Sequence, residues 1–295
     1  VSRQEMRDRG WDGYDFLVVT ADAYVDHPSF GISIISRVVE DQGFTVGVLA
    51  QPDWKSNRDF EKLGRPKYGF LVTSGNIDSM VAHYTVAKRR RTRDLYSEGG
   101  QMGKRPDRPT IVYANRAREA FPDAPVYVAD TRNVTFPLGL LVYEACRMRD
   151  EGMSAREIHE RVETDLAPRL RLYAVIDDLK YLKLGGRLSS AGAAVGTLLG
   201  IKPLVTIEDG KVVNIHKTRG QKAAMAWIAE KLKEEYGGGA IHLGHSNAPE
   251  KMAELEQTIG GFLGGKDVRR AEIGSVVGTH ADPGCTGVAF FAKSK

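Results

Sequence analysis

Cysteine is scarce in this sequence: its 295 residues contain two, Cys146 and Cys285. Two thiols that far apart do not build a disulfide framework. They are also too few for a four-thiolate zinc or an iron–sulfur cluster. No apolar run approaches the roughly 18 residues that a bilayer-spanning helix needs. The first ten residues, Val1 to Gly10, are charged and lack an apolar signal core. Nothing there directs export, so a cytoplasmic location is expected. No charge of one sign dominates, with 42 Lys and Arg against 38 Asp and Glu and a net charge of +4. That balance does not suggest a nucleic-acid partner. The one basic run, Lys88-Arg-Arg-Arg-Thr-Arg93, reads as a solvated loop or helix end, with a phosphate or nucleic-acid contact as the alternative. A phosphate-cradling P-loop, the dinucleotide glycine fingerprint and a Gly-x-Ser-x-Gly elbow are all missing. No spaced His/Cys/Asp cluster occurs, so no metal is expected.

Strand-like apolar runs alternate with amphipathic stretches. Phe16–Thr20, Phe44–Leu49, Tyr68–Thr73 and Val126–Ala129 read as strands. Ser29–Val39 and Ile77–Thr85 read as helices, Ser97–Arg108 as a loop, and Ile111–Ala120 as a helix or strand. Such alternation implies a parallel sheet covered on both faces. Leu138, Leu141, Val142, Ala145 and Met148 recur at helical spacing, and Ser154-Ala-Arg-Glu157 is a capping box opening the next helix. Beyond Pro168 come a strand at Leu172–Ile176 and a short helix capped by Asp177/Asp178 and stopped at Gly185-Gly186. A small-residue helix follows at Ser189–Leu199, then a hairpin about Asp209-Gly210. A helix over Gly220–Tyr236, a strand at Ile241–His245, a helix from Asn247 and two closing strands complete the chain. The expected fold class is α/β: a parallel Rossmann-like sheet with helices on both faces (residues 1–167), then a second α/β domain with a mixed sheet (168–295).

Some residues stand out chemically. Gly185-Gly-Arg187 allows a sharp turn and a close backbone approach, followed by a planar cationic fork suited to a carboxylate or phosphate. A helix C-cap with a surface arginine accounts equally for that spacing. His280, in Gly278-Thr-His280 before Ala281-Asp-Pro-Gly284, ends an apolar run and could present its ring to an anion. A purely structural histidine is the alternative. The small side chains of Ser189–Leu199 permit either close helix packing or a narrow apolar space. Asp22, Asp26 and His27 follow the first strand, where open parallel sheets bind ligands.

From Pro125 onward the sequence resembles the DegV family. The matching residues include Val126-Tyr-Val-Ala-Asp130, Ile176-Asp-Asp-Leu179, Tyr181-Leu-Lys-Leu-Gly-Gly-Arg-Leu-Ser189, Leu199-Gly-Ile-Lys-Pro-Leu204, Lys217-Thr-Arg-Gly220 and Val277-Gly-Thr-His280-Ala-Asp-Pro-Gly284. The resemblance implies a non-enzymatic carrier of a long-chain fatty acid, without a cofactor. Its acyl chain would lie in an apolar tunnel and its carboxylate at the domain interface. It also implies a dihydroxyacetone-kinase-like fatty acid kinase as partner, and is compatible with peripheral membrane contact. Arg187, His280 and Thr279 would hold the carboxylate. Ala191, Ala194, Val195, Leu198, Leu199 and Ile201 would line the tunnel. The family's N-terminal Asp-Ser-Thr and serine-rich loops are missing; Thr73, Ser74 and Ser79 stand as geometric substitutes, with a helix N-cap at Ser74, Asn76 or Asp78 as the alternative.

Residues 1–124 instead resemble the N-terminal region of YgiQ-type radical-SAM proteins. The match rests on Thr20-Ala-Asp-Ala-Tyr-Val-Asp-His-Pro-Ser-Phe-Gly31, Ala50-Gln-Pro-Asp-Trp54, Thr73-Ser-Gly-Asn-Ile-Asp-Ser-Met80 and Gly103-Lys-Arg-Pro-Asp-Arg108. That region resembles a cobalamin-binding α/β domain, yet the ligand signature Asp-x-His-x-x-Gly is absent. The barrel motif Cys-x3-Cys-x2-Cys is absent too, so no radical chemistry is expected from these residues. The two resemblances meet near Pro122–Val126, as in a chimera with residues 125–167 completing the first domain. Two other readings stay open: a cofactor- or nucleotide-binding module or enzyme using the Asp22/Asp26/His27 loop, and a chimeric scaffold without ligand.

Overall fold

The structure, a computed structural model, describes residues 2–27, 30–187 and 200–294. They form two compact units, Val1–Val126 and Tyr127–Lys295. In the first, α1 (Arg3–Asp8) leads to β1 (Phe16–Thr20), α2 (Gly31–Asp41), β2 (Val46–Ala50), α3 (Arg58–Glu61), β3 (Gly69–Thr73), α4 (Ser79–His83) and α5 (Pro109–Ala120). The three strands are parallel in the order β2-β1-β3, with Val18 beside both Val48 and Leu71. Alternate side chains of β1 face opposite ways, as the period of two requires. Leu17 and Val19 join Met6, Phe60 and Tyr113 from α1, α3 and α5 on one face, while Val18 meets Ile32 of α2 on the other. Helices therefore cover both faces, as expected for a Rossmann-like layer. Ile111–Ala120 resolves as helix, with Pro109 at its first turn.

The second unit runs through α6 (Thr135–Asp150), α7 (Ala155–Arg161), a π-turn (Val162–Leu166) and α8 (Ala167–Arg169). It continues with β4 (Leu170–Val175), α9 (Lys180–Leu184), β5 (Ile201–Glu208), β6 (Lys211–Arg219) and α10 (Gln221–Glu235). β7 (Ile241–His245), α11 (Pro249–Leu263), β8 (Val268–Glu272), α12 (Ser275–Ala281) and β9 (Thr286–Phe291) complete it. The sheet order is β6-β5-β4-β9-β7-β8. It is mixed: β7 and β8 are parallel, and the other pairs are antiparallel. Leu172, Ala174, Ala289 and Phe291 face α6 and the π-turn; Tyr173, Val175, Val288 and Phe290 face α10 and α11. Burying each large aliphatic or aromatic side chain contributes roughly 1.5–3 kcal/mol. On the α6 face, Gly244 and Gly287 sit opposite each other on β7 and β9. A Cβ on Gly244 would lie 2.3 Å from the Phe136 ring, so the missing side chain lets α6 settle on the sheet. The capping box is made: the Glu157 N–H donates to Ser154 Oγ at 3.3 Å, and the Ser154 N–H to Glu157 Oε2 at 2.7 Å.

Two expectations need correction. The units part at 126/127 rather than 167/168, because Phe136, Leu140, Met148 and Val162 share one core with Leu172 and Ile176. Val126–Ala129 forms no strand. Val126 and Val128 are exposed, and helix side chains occupy the polar atoms that a ladder would use. His159 Nε2 lies 3.0 Å from the Val128 carbonyl, and the Asp130 N–H donates to Glu163 Oε1 at 3.2 Å. The start of the helix expected at Ser29, and the helix expected over Ser189–Leu199, lie outside the described residues. With the latter go the tunnel candidates Ala191, Ala194, Val195, Leu198 and Leu199. Among the described residues no helix is long and apolar enough to cross a membrane.

Candidate functional site

In the second unit, α9 ends in a Schellman cap. The Arg187 N–H donates to the Leu182 carbonyl at 2.9 Å and the Gly186 N–H to that of Lys183 at 3.0 Å. Gly186 takes φ +66°, the left-handed turn this cap requires. Gly186 thus fulfils the cap reading of the Gly-Gly-Arg motif, while Gly185 does something else. A Cβ at Gly185 would lie 2.2 Å from His280 Nδ1, so the bare backbone is what admits the imidazole. His280 sits in the last turn of the short helix α12. Its Nδ1 is buried and has no hydrogen-bond partner among the described residues. Buried polar atoms in this state are rare, and they mark strain, function or an absent ligand. Arg187 is exposed, and its guanidinium donates to the Gly185 carbonyl at 2.5 Å, inside its own turn. The cationic fork and the open imidazole nitrogen thus both lie against one glycine. Thr279 is exposed, and its hydroxyl is spent on the Ser275 carbonyl at 2.8 Å. Ile201, at the first position of β5, is half-buried.

A salt-bridged corner holds the turn after His280. Lys202 Nζ and Lys251 Nζ each lie 2.6 Å from a different oxygen of Asp177. Lys251 also donates to the Gly284 carbonyl at 3.3 Å. Burial would raise the Asp177 carboxyl, but the two lysines outweigh it and hold the group below its ordinary value. Asp282 moves the other way: burial first, then the charges of Asp177 and Asp178, push it up. Neither Asp177 nor Asp178 is the N-cap of α9, a place taken by Leu179; Asp178, just before it, accepts the Lys180 N–H at 2.9 Å. A cavity of about 810 Å³ opens beside α12, lined by Tyr181, Ser246, Ile273, Ser275, Gly278 and Thr279 among others. A larger one of about 1050 Å³ lies at the opposite end of β4 and β5, between Arg171, Trp227, Asp209 and Glu235, away from His280.

The first unit contains a feature that sequence reasoning missed. Arg105 is fully buried in the polar stretch read as a loop. Its Nε and Nη2 each donate to Asp94 at 2.7 Å, and its Nη1 donates to Asp22 at 3.1 Å and to the Ile77 carbonyl at 3.0 Å. Asp94 also accepts from Ser97 Oγ at 2.9 Å and the Tyr96 N–H at 3.1 Å, and lies 3.1 Å from His83 Nε2. Burial opposes the Asp94 charge, yet Arg105 and these further donors hold the carboxyl well below its ordinary value. Asp22 is pushed up, because burial outweighs the Asn76 N–H and Arg105. Nothing in the local sequence distinguishes Arg105 from its solvated basic neighbours.

Asp22 also lines a cavity of about 420 Å³ that runs along β3 and α2, past Leu71 and Ile35, to the carboxyl ends of β1 and β3 at Thr20 and Thr73. Asp26 does not share its partners: it is exposed and pairs with Arg37 at 3.3 Å. Ser74 is half-buried next to Thr73, whose Oγ1 accepts the Gly75 N–H at 3.2 Å. Thr73 and Ser74 belong to the first unit, Arg187 and His280 to the second. No group of three or more His, Cys, Asp or Glu among the described residues is placed to hold a metal ion.

Comparison with known proteins supports both resemblances. Residues 1–132 match the model described as the radical SAM N-terminal region, and residues 109–293 match that of the DegV family, described as uncharacterised proteins. A UPF0313 protein of Clostridium botulinum is 59% identical over 128 residues, covering 43% of this chain and 20% of that protein. The chain thus spans about a fifth of the length of the curated relatives it matches. Among solved structures, a fatty acid binding DegV family protein from Streptococcus agalactiae is 28% identical with a TM-score of 0.54, over 63% of this chain and 67% of that one. The Streptococcus pneumoniae Fatty Acid Kinase (Fak) B3 protein, loaded with linoleic acid, shares the fold at 18% identity with a TM-score of 0.59, over 94% of this chain and 99% of that one. With residues 109–293, more than half of its length, inside the family's pattern, this chain belongs to the DegV family.

Proposed function

We propose that the protein is a fatty-acid carrier whose second unit binds the carboxylate between Arg187 and His280. The observation that carries this reading is the buried, unpartnered Nδ1 of His280 over Gly185, next to an exposed arginine fork. An anion bound there gains a charge-assisted bond from Arg187 and a partner for the open imidazole nitrogen. The acyl chain would run along Ala191, Ala194, Val195, Leu198, Leu199 and Ile201, each methylene leaving water contributing about 0.8 kcal/mol. The carrier would hand its ligand to a kinase of the dihydroxyacetone-kinase type, without cofactor chemistry of its own.

The test is mass spectrometry of the organic extract of protein purified from bacteria, beside Arg187→Ala/His280→Ala. A stoichiometric fatty acid in the parent, depleted in the double variant, supports the carrier reading and the anion site together. A folded, monodisperse parent free of lipid would refute it.

A further inference from the structure

The basic run that reads in sequence as a solvated end is built into a braced two-stranded finger. Tyr84 and Arg90 pair in antiparallel fashion. The Thr85 N–H donates to the Arg89 carbonyl at 2.9 Å, the Arg91 N–H to that of His83 at 2.7 Å, and the Lys88 N–H closes the turn on Thr85 at 2.8 Å. Lys88 sits at φ +59° in that turn, and the Arg89 N–H also donates to Thr85 Oγ1 at 3.1 Å. The root is fixed as well, since His83 is buried between Asp94 and Asp107, and Asp94 is gripped by Arg105. Every residue from Val86 to Arg93 is exposed. Among the described residues no carboxylate forms an ion pair with Lys88, Arg89, Arg90, Arg91 or Arg93. Arg91 Nε donates to the Tyr84 carbonyl at 3.3 Å.

We infer that this finger is a docking element for duplex DNA, entering the major groove and placing its cations on the flanking phosphates. A B-form major groove admits a two-stranded ribbon of this kind. Four of the five cations are arginines, whose planar forks bond phosphate oxygens in pairs. Among the described residues, the exposed stretch Val86 to Arg93 carries no aromatic side chain to offer a base-stacking platform. That favours a duplex, read through its backbone, over a splayed single strand. Val86 at the turn is fully exposed, and a single valine suits a thymine methyl better than it anchors a lipid surface. The near-neutral charge of the whole chain is no objection, since the field that steers a polyanion is local to the ribbon.

The test is fluorescence anisotropy of the full chain with a labelled 20-base-pair DNA duplex over a salt series. Five neutralised phosphates predict a log–log slope of about −4.5, and roughly a 500-fold loss of affinity between 50 and 200 mM salt. Arg89→Ala/Arg90→Ala should flatten the slope to about −2.7, a loss of roughly 40-fold over the same range. Arg89→Lys/Arg90→Lys, which keeps both charges, should restore the slope. Circular dichroism confirms that each variant is folded. An RNA duplex of the same sequence should bind at least about tenfold more weakly, because its deep, narrow major groove excludes the ribbon. No binding to DNA at 50 mM salt would overturn the inference. So would equal binding of DNA and RNA, an unchanged slope in the alanine variant, or binding confined to phosphatidylserine vesicles.

Discussion

Replacing Arg105 by methionine tests the central claim about the first unit. The substitution keeps most of the volume and removes the cation that Asp94 and Asp22 share. Both carboxylates are at most 2% exposed, so neither can turn to water for compensation. Breaking a buried pair by deleting one partner costs about 3–5 kcal/mol. A unit of this size, Val1–Val126, has roughly 6–19 kcal/mol of stability in all. With a urea slope of about 2 kcal/mol/M, the unfolding midpoint should drop by roughly 2 M. Trp11 and Trp54 lie in the first unit and Trp227 in the second, so fluorescence in a Trp227→Phe background reports on the first alone. Arg105→Lys keeps the charge but loses the two-pronged grip on Asp94, and should fall about midway. The acid limb gives a second reading. Asp94 is depressed in the folded protein, so its contribution is complete above the unfolded value of 3.8 and is lost as pH falls below it toward the folded value. Asp22 is raised, and protonating it relieves part of that loss. In Arg105→Met the acid dependence contributed by Asp94 should shrink. A midpoint shift under about 0.5 M, or a lysine variant as stable as the parent, would mean that Asp94 and Asp22 do not depend on the Arg105 fork.

Three further outcomes follow from the second unit. Gly185→Ala forces a methyl to within 2.2 Å of His280 Nδ1, so the ring must swing away; a cost of about 1–3 kcal/mol and a displaced His280 NMR signal are expected, and an unmoved signal would contradict the packing described. Cys285 is fully buried, with its thiol pushed up to about 12, whereas Cys146 is exposed; a thiol reagent at pH 8 should therefore label one cysteine in the native protein and two in urea. Burial holds His242 below its ordinary 6.5, with Nδ1 2.9 Å from the Phe136 carbonyl, so its stabilising contribution is complete above pH 6.5 and is lost as pH falls from there through the folded value. His242→Gln should remove that slope from urea titrations between pH 7 and 5.

Much of the layer order was legible because it depends on local periodicity. Phe16–Thr20 and Leu172–Ile176 read as strands from their apolar runs, and Ser154-Ala-Arg-Glu157 announced its cap through two side chains three residues apart. Val126–Ala129 misled for the same reason. Its composition is that of a strand, but a strand needs a ladder, and here His159 and Glu163 reach the polar backbone atoms instead. The pairing of His280 with Gly185 was only half visible: each residue stood out, while their contact depends on α9 and α12 packing across roughly a hundred residues of chain. Arg105 was invisible. An arginine between Lys104 and Pro106 looks solvated, and only folding shows that Asp22 and Asp94 converge on it. Expectations about Asp22, Asp26 and His27 as one loop site failed to anticipate that Asp22 and Asp26 would take different arginines.

The first unit's sheet has three strands, and among the described residues its outer members, β2 and β3, each pair on one side only. It is therefore a tile with two open margins. Each margin presents a row of amide and carbonyl groups that water must satisfy until another strand does. A tile of this sort can be extended from either flank without rebuilding its interior, because Leu17, Val18 and Val19 already bury themselves in the central strand. A strand added at either flank would extend the sheet through backbone hydrogen bonds and leave that interior as it is.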